Sequence, residues 1–157
     1  GFRWSHMGWL LREVPAKDEI KRYTRDIADD PVYNFFEKYF LLTQVPLGVL
    51  LYLLGGWAFV IWGIFVRLFV VYHCTWFVNS ATHKFGYRTY ETDDTSTNCW
   101  WVALVTYGEG WHNNHHAFQY SARHGLKRWE IDFTWMHFRL LQIFGLARKV
   151  KVKVVES

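Results

Sequence analysis

Cysteine is scarce in this chain of 157 residues, which contains only Cys74 and Cys99. Neither belongs to a Cys-x-x-Cys pair, so the sequence has no cysteine-based zinc motif and no disulfide framework, and a reducing environment is expected. The chain also lacks a continuous lysine- and arginine-rich patch with interleaved aromatic residues, and its net charge is only +4. Nucleic acid is therefore not expected as a partner. No internal repeat or low-complexity segment is present.

Charge is almost missing from a long central stretch. Between residues 39 and 78 only Arg67 is fully charged. This length is about right for two membrane spans of ~20 residues each. Gly55-Gly56 near its middle predicts a turn, with one helix over residues 39–55 and another over 57–78. The alternative is a pair of buried helices in a soluble core, although such helices usually keep a polar face.

Lysine and arginine lie on both sides of the apolar stretch but not at its predicted turn. The positive-inside tendency then places residues 1–38 and 79–157 on the cytoplasmic side, and an even number of spans keeps them on one side. Aromatic residues form 20% of the chain, which fits a membrane-interface protein, although a large ligand-binding core would also use them. The expected fold is all-α, an integral membrane helical hairpin with cytoplasmic helices.

The flanking segments carry weaker signals. Asp29-Asp30-Pro31 marks a helix start or stop within the charged residues 15–38, which otherwise suit a solvated connector near the membrane surface. Residues 86–99 lack helical periodicity and predict a loop, whereas the apolar residues 100–107 predict a short helix. Apolar positions at helical spacing predict an amphipathic helix over residues 129–146. Residues 149–155 alternate charge and valine, which is typical of a short strand or a disordered end.

A His-x-x-His-His box is the most informative motif, and its histidines are His112, His115 and His116. On a helix, positions i, i+3 and i+4 share one face, so three imidazoles would converge there on one point. Imidazoles suit zinc, copper, iron or nickel, and sequence alone does not choose among them. The alternative is a helix face with exposed or packed histidines and no metal.

Asn79 and His83 close the second apolar helix and stand four residues apart on the same face. A lone histidine at a helix end is usually a cap or a surface residue. A histidine box on the same side of the membrane favours a shared metal site instead, at the cytoplasmic mouth of the hairpin. Four histidines exceed what one catalytic zinc needs if it is to keep an open position, which indicates a larger site.

Three separated motifs stand out together: WSHMGWLL at residues 4–11, NSATH at 79–83 followed by GYR at 86–88, and GEGWHNNHH at 108–116. In this order they resemble the motifs of the membrane-bound fatty-acid Δ9 desaturases. The match is closest to the cyanobacterial acyl-lipid type, lies near the stearoyl-CoA type, and runs over essentially the whole chain. The resemblance implies a histidine-rich di-iron domain, with ligands at His83, His112, His115 and His116. Asn79 would hold a metal-bound water.

The family pattern also includes a His-x-x-x-x-His box and a second His-x-x-His-His box, neither of which is in this chain. Because these two boxes precede the third in the family, and because the chain begins at Gly1 rather than at methionine, we expect a C-terminal part of a single desaturase domain. About half of the ligands would then lie upstream, and the isolated chain should not assemble the di-iron centre. The remaining histidines are expected to be interface or packing residues, with His6 the nearest to the site: His6, His73, His124 and His137.

The resemblance also implies the reaction. O2 and two reducing equivalents would remove two hydrogens from C9 and C10 of a saturated, stearoyl-like acyl chain, leaving a cis double bond and water. The protein would position the chain and exclude water. Thr75 and Trp76 are candidates for the bend of an acyl-chain tunnel, and ordinary helix packing is an equal alternative for both.

The acyl carrier and the electron donor follow from the same comparison. Arg12-Glu13 stands where acyl-CoA members carry a basic pair, which favours a glycerolipid-bound acyl chain over acyl-CoA. No His-Pro-Gly-Gly element of cytochrome b5 is present, so a separate donor such as ferredoxin or cytochrome b5 is expected. Two other functions stay open: a histidine-rich membrane hydroxylase, and an inactive membrane hairpin with a structural histidine cluster.

Overall fold

The computed structural model describes residues 1–12, 24 and 27–154. Helices make up the regular structure of this described part, which contains no β-strand. Strand-like pairing within it is limited to two isolated bridges, Tyr87 with Asn98 and Asn98 with Trp111. The all-α class predicted from the sequence is confirmed.

The described helices follow one another along two compact units. One unit contains Gly1–Trp9 and Tyr72–Ser157, and the other contains Leu10–Val71. In chain order the helices are α1 (Phe2–His6), α2 (Pro31–Tyr39), α3 (Gln44–Val60), α4 (Arg67–Ser80), α5 (Trp100–Val105), α6 (His112–Ala117) and α7 (Phe133–Ile143). The shorter turns are 3₁₀ turns at Gly8–Leu11 and Ala81–His83 and a π-helical segment at Ile61–Val66.

Helix α2 begins where the Asp-Asp-Pro sequence allows a helix to start. The Asp30 carboxylate accepts hydrogen bonds from the N–H groups of Val32 at 2.8 Å and Tyr33 at 3.3 Å. Pro31 occupies the first helical position, where its missing N–H costs nothing. The predicted connector is therefore helical in its last part, while residues 13–23 and 25–26 of this region lie outside the described residues.

The first predicted apolar helix starts later than expected. Phe40 to Thr43 form a turn in which the Thr43 hydroxyl donates to the Phe40 carbonyl at 2.6 Å. Helix α3 then starts at Gln44, which places Pro46 in the first turn. Proline is tolerated there because the first helical N–H groups have no intrahelical partner. The predicted boundary at residue 39 was therefore wrong by about one helical turn.

Two glycines interrupt the apolar helix at the predicted turn. Gly55 (φ −161°, ψ 21°) and Gly56 (φ 64°, ψ −156°) both leave helical geometry, and Gly56 adopts a positive φ that glycine tolerates best. Contacts join residues on the two sides of this break. Arg67 donates to the Gln44 side-chain oxygen at 3.5 Å, and the Tyr52 and Trp57 rings lie 5.2 Å apart.

One helical run in the described residues, Gln44–His83, is long and apolar enough to cross a membrane, with a mean hydropathy of 2.2 in an 18-residue window. Large apolar side chains in this run are exposed. Leu53 is 76% exposed, and Trp57 and Trp62 are each 69% exposed. Such exposure is unusual for the core helix of a soluble protein.

The unit that carries the histidine box has a small apolar core. Ala81, Cys99 and Val102 are buried there. The loop predicted over residues 86–99 is confirmed, because it contains no helix and is tied by paired backbone hydrogen bonds between Tyr87 and Asn98. The short helix predicted after this loop is also confirmed, as α5.

The C-terminal region departs from its prediction in length. Helix α7 begins at Phe133 rather than near residue 129, because the Asp132 carboxylate caps it by accepting from the Trp135 N–H at 2.8 Å. Residues 149–154 form neither helix nor strand. They are instead bonded to the loop that follows α6, where the Lys153 N–H donates to the Ser121 hydroxyl at 3.0 Å.

Candidate functional site

The two asparagines inside the histidine box anchor its helix. Asn113 is fully buried, and its side-chain oxygen accepts from the N–H groups of Thr89 at 2.8 Å and Tyr90 at 2.9 Å. Its amide nitrogen donates back to the Tyr90 carbonyl at 2.9 Å. These three bonds fasten α6 to the long loop before α5, so the residues between the histidines hold the box in place.

Asn114 fastens another side of the same helix. Its amide nitrogen donates to the Glu130 carboxylate and to the His124 carbonyl, each at 2.8 Å, and its oxygen accepts from Asn98 at 2.8 Å. Glu130 also accepts from the Tyr87 hydroxyl at 2.5 Å. Burial, followed by this contact with Glu130, raises the pKa of Tyr87 well above its usual range. The Tyr87 hydroxyl therefore stays protonated and can donate.

Three histidines meet around one point. His83, His112 and His116 each offer a ring nitrogen, and these nitrogens all lie within 4.8 Å of one another. The ring centroids of His112 and His116 are 4.3 Å apart, and that of His83 lies 5.1 Å from His112. His83 reaches this cluster from the 3₁₀ turn that follows α4. Spacing as close as this allows one metal ion to bind all three.

His115 does not join this cluster. Its ring lies 4.6 Å from that of His124 but 6.0 Å from His112 and 5.7 Å from His116. The expectation that all three box imidazoles converge on one point was therefore wrong for His115. Consecutive residues point about 100° apart around a helix, so His115 and His116 face different directions.

The Nδ1 atom of His115 is buried, and no described group accepts from it or donates to it. Buried polar atoms in folded proteins rarely lack a hydrogen-bond partner, so this nitrogen is free to bind a water or an ion. The residues present therefore fit a histidine-bound metal in two directions, one served by the cluster of three and one by His115.

Two histidines of the box, His112 and His115, are held in the neutral form. Burial, reinforced by His116, His83 and His115, lowers the pKa of His112 to about 3 against the opposing effect of Asp94. Burial also lowers the pKa of His115, and the neighbouring His124 lowers it further. Only neutral imidazole has a free lone pair for a metal, so the site is prepared for binding at neutral pH.

A short segment of the loop over residues 86–99 lies against the cluster of three histidines. The Asp94 carboxylate contacts Nδ1 of His116, and the Thr95 hydroxyl lies 3.2 Å from Nδ1 of His83. Burial alone would raise the pKa of Asp94, but hydrogen bonds from Ser96 and Thr92 and the contact with His116 hold it below its usual range. No spacing pattern in the sequence points to Asp94 or Thr95.

The other residues proposed from the sequence lie near the same end of α4. Asn79 is exposed and, with His83 and Thr95, lines a cavity of about 620 Å³. The Trp76 ring lies 5.8 Å from His6 and 5.0 Å from His73, whereas Thr75 is exposed one turn before Asn79. These contacts are compatible with either packing or an acyl-chain site.

The four histidines outside the predicted ligand set have different surroundings. His6 bonds Ser80 at 2.9 Å and His73 at 3.1 Å, and His137 is exposed and bonds the Phe133 carbonyl at 2.7 Å. The His124 ring packs at a tilt against that of His115, and its Nδ1 lies 3.5 Å from the Glu109 carboxylate. Among these four, His124 rather than His6 has its ring against the box, which corrects the expectation from the sequence.

The chain is similar to known proteins over most of its length. The family described as "Fatty acid desaturase" matches residues 1–139. The chain is similar to the sn-1 stearoyl-lipid 9-desaturase of Anabaena variabilis, with 65% identity over 97% of this chain and 56% of the relative. It is similar to the protein of the same name from Synechocystis sp., with 63% identity over 97% of this chain and 48% of the relative.

A third relative carries a different substrate in its name. The sn-2 palmitoyl-lipid 9-desaturase of Nostoc sp. is 52% identical over 96% of this chain and 54% of its own length. The chain thus spans about half the length of the curated relatives it matches.

Proposed function

Because this chain belongs to the fatty acid desaturase family, we propose that the protein introduces a cis double bond at the Δ9 position of a saturated acyl chain, using O2. The observation that carries the proposal is the cluster of His83, His112 and His116, three imidazoles around one point. Their position in a chain 65% identical to a stearoyl-lipid 9-desaturase supports stearoyl as the acyl group and a glycerolipid as its carrier.

The proposed cofactor is a pair of iron ions. His83, His112 and His116 would hold one of them, His115 would face the other, and Asn79 would act through a water. When bound, the irons activate O2 so that hydrogen can be taken from unactivated C–H bonds. The protein supplies neutral imidazoles, since burial keeps the pKa of His112 near 3 and stops protons from competing for its lone pair.

The acyl chain would pass along the end of α4, where Thr75 and Trp76 would set its bend. Support comes from how firmly the indole is held: the Trp76 ring stacks on Tyr72 at 5.8 Å and contacts His6 and His73 edge-on. A side chain packed on several sides keeps one rotamer, which is what a tunnel wall that selects one C–H bond requires.

We infer that residues 39–78 cross the membrane as a hairpin, with residues 1–38 and 79–157 on the cytoplasmic side as parts of one desaturase domain. The glycine break and the contact of Arg67 with Gln44 across it support this topology. The exposed apolar surface of the same residues would face lipid. Electrons would come from a separate protein such as ferredoxin or cytochrome b5.

Product analysis tests the proposal. The full-length protein is expressed in a host that supplies reductant and stearoyl lipids but has no Δ9 desaturase of its own. The expected product is a Δ9-cis-octadecenoyl group at the sn-1 position, located by mass spectrometry of double-bond adducts after sn-specific hydrolysis. A hydroxylated chain would show a membrane hydroxylase instead, and an unchanged chain with normal expression would contradict both enzymatic assignments.

A further inference from the structure

We propose that Asp94 is a positioning residue of the metal site: its carboxylate fixes the ring of His116 so that Nε2, and not Nδ1, faces the metal, while Thr95 helps to orient the ring of His83. The contact of Asp94 with Nδ1 of His116 and that of Thr95 with Nδ1 of His83 carry this inference. This inference depends on the proposed function in one respect only, namely that the metal is iron.

The chemistry of Asp94 and His116 determines which ring nitrogen of His116 carries the proton. An ionised carboxylate only accepts hydrogen bonds, so Nδ1 of His116 must carry the hydrogen that they share. A neutral imidazole has one N–H, which leaves the lone pair of His116 on Nε2. Metal-bound histidines commonly donate their other N–H to a carboxylate in this way, which fixes the tautomer and raises ligand basicity.

Thr95 acts more weakly on His83. Its hydroxyl lies 3.2 Å from Nδ1 of His83, and a hydroxyl can donate or accept. The contact therefore orients the ring without dictating its tautomer. Asp94 is for this reason the residue whose loss should matter more.

The Asp94 carboxylate is itself held in place. Its other oxygen accepts from the Ser96 N–H and the Thr92 hydroxyl, each at 2.9 Å. The Asn113 amide lies 3.5 Å from both Thr92 and Ser96, so the helix that carries His116 is also bonded to the segment that carries Asp94. Ring and carboxylate are thus positioned from one common framework, as a preorganised metal site needs.

The matched pair of substitutions is Asp94→Asn and Asp93→Asn, made in the full-length protein. In Asp94→Asn the amide oxygen can keep the bonds from Ser96 and Thr92, which turns the NH2 group towards Nδ1 of His116 and moves the imidazole hydrogen to Nε2. Asp93 is exposed and one residue away, so its substitution removes the same charge without touching the ring.

Two measurements on these variants test the role of Asp94. Competition of Fe2+ with a chelator under nitrogen should show about 10- to 100-fold weaker binding in Asp94→Asn, the range typical of a lost outer partner, and no change in Asp93→Asn. Nitrogen-15 NMR of the metal-free protein should show His116 as the Nδ1–H tautomer in the wild type and as Nε2–H in Asp94→Asn. The NMR measurement depends neither on activity nor on bound iron. It reports the tautomer of His116 in folded protein, so a variant that fails to fold is not mistaken for one with a changed tautomer.

The results separate this inference from the proposed function. Equal Fe2+ affinity of Asp94→Asn and Asp93→Asn, or an unchanged His116 tautomer in folded Asp94→Asn, overturns the role of Asp94. A wild-type protein that shows the Nδ1–H tautomer but neither binds iron nor desaturates overturns the proposed function and leaves the positioning role of Asp94 standing. Thr95→Val should weaken Fe2+ binding less than Asp94→Asn does, and the reverse order contradicts the ranking.

Discussion

The amide of Asn114 and the carboxylate of Glu130 bind each other at 2.8 Å beneath the histidine box, and both side chains are almost completely buried. The same carboxylate accepts from the N–H groups of Leu126 and Lys127 and from the Tyr87 hydroxyl. One buried acid therefore satisfies donors from the box helix, from the loop before it and from the turn after it. A buried charge with this many partners is costly to remove.

Glu130→Ala should destabilise the protein by about 3 kcal/mol or more, since it leaves several buried donors without an acceptor. Glu130→Gln keeps one acceptor oxygen, and we expect it to cost about 1–2 kcal/mol. Thermal unfolding of the metal-free protein in detergent measures both. An Ala variant as stable as the wild type would show that this network does not hold the box.

His112→Ala or His116→Ala should abolish double-bond formation in a host that supplies reductant, because each removes one of the three converging imidazoles. His137→Ala should leave most of the activity, since this histidine is exposed on α7 and bonds to its own helix at Phe133. Fatty-acid analysis of the three strains, at matched expression, gives the answer. Equal loss in all three would mean that the ligand assignment is wrong.

The chain of 157 residues on its own should bind at most one transition-metal ion, at the cluster of His83, His112 and His116. His83→Ala should remove that binding, whereas His115→Ala should keep it, because the His115 ring faces away from the cluster. Metal analysis of the purified chain after Zn2+ loading and desalting checks both variants. Two tightly held ions per chain would contradict this expectation.

Acid should destabilise the metal-free protein. Burial lowers the pKa of His112 from 6.5 to about 3 in the folded state, so between these values the unfolded chain binds a proton that the folded chain does not. The stability from this group is fully present above about pH 6.5 and is lost as pH falls towards about 3, by up to about 1.4 kcal/mol per pH unit. Melting temperatures at about pH 7.5 and about pH 5.5, on either side of the unfolded-state pKa, measure the slope.

The control for this pH dependence is a pair of glutamine substitutions. His112→Gln should flatten the slope, because glutamine does not titrate, and His137→Gln should leave it unchanged. A slope that is the same in all three proteins would assign the acid sensitivity to other groups.

Trp76→Ala should spread the double bond over more than one position in the acyl chain, if the indole forms the wall at the bend. The expected change is a mixture of positional isomers at reduced yield, identified by mass spectrometry of the adducts. Trp62→Ala is the control, because Trp62 is 69% exposed in the apolar run and should not affect regiochemistry. A lower yield of the Δ9 isomer alone would indicate that Trp76 only packs α4.

Local signals in the sequence predicted the parts of the fold that depend on neighbouring residues. Asp30-Pro31 marks the start of α2, the glycine pair marks the break in α3, and the spacing of His112 and His116 marks a helical face. Each signal acts within about one helical turn, where backbone geometry is decided.

The contacts that hold the site residues in place could not be predicted from such local signals. Asp94 meets His116 across 22 positions, and Asn114 meets Glu130 across 16. Acids and amides in loops are common, and nothing in their spacing shows which partner they will meet after folding. The expectation that His6 would lie nearest to the site failed for the same reason, because the contact of His124 with His115 depends on how the chain returns after α6.

The different directions of the adjacent residues His115 and His116 on α6 have a further meaning for a centre with two metals. Neighbouring residues on one helix move together, so His115 and His116 would couple the two ions that we propose for this site. Removing one of these ions should accordingly alter the spectroscopic signal of the other.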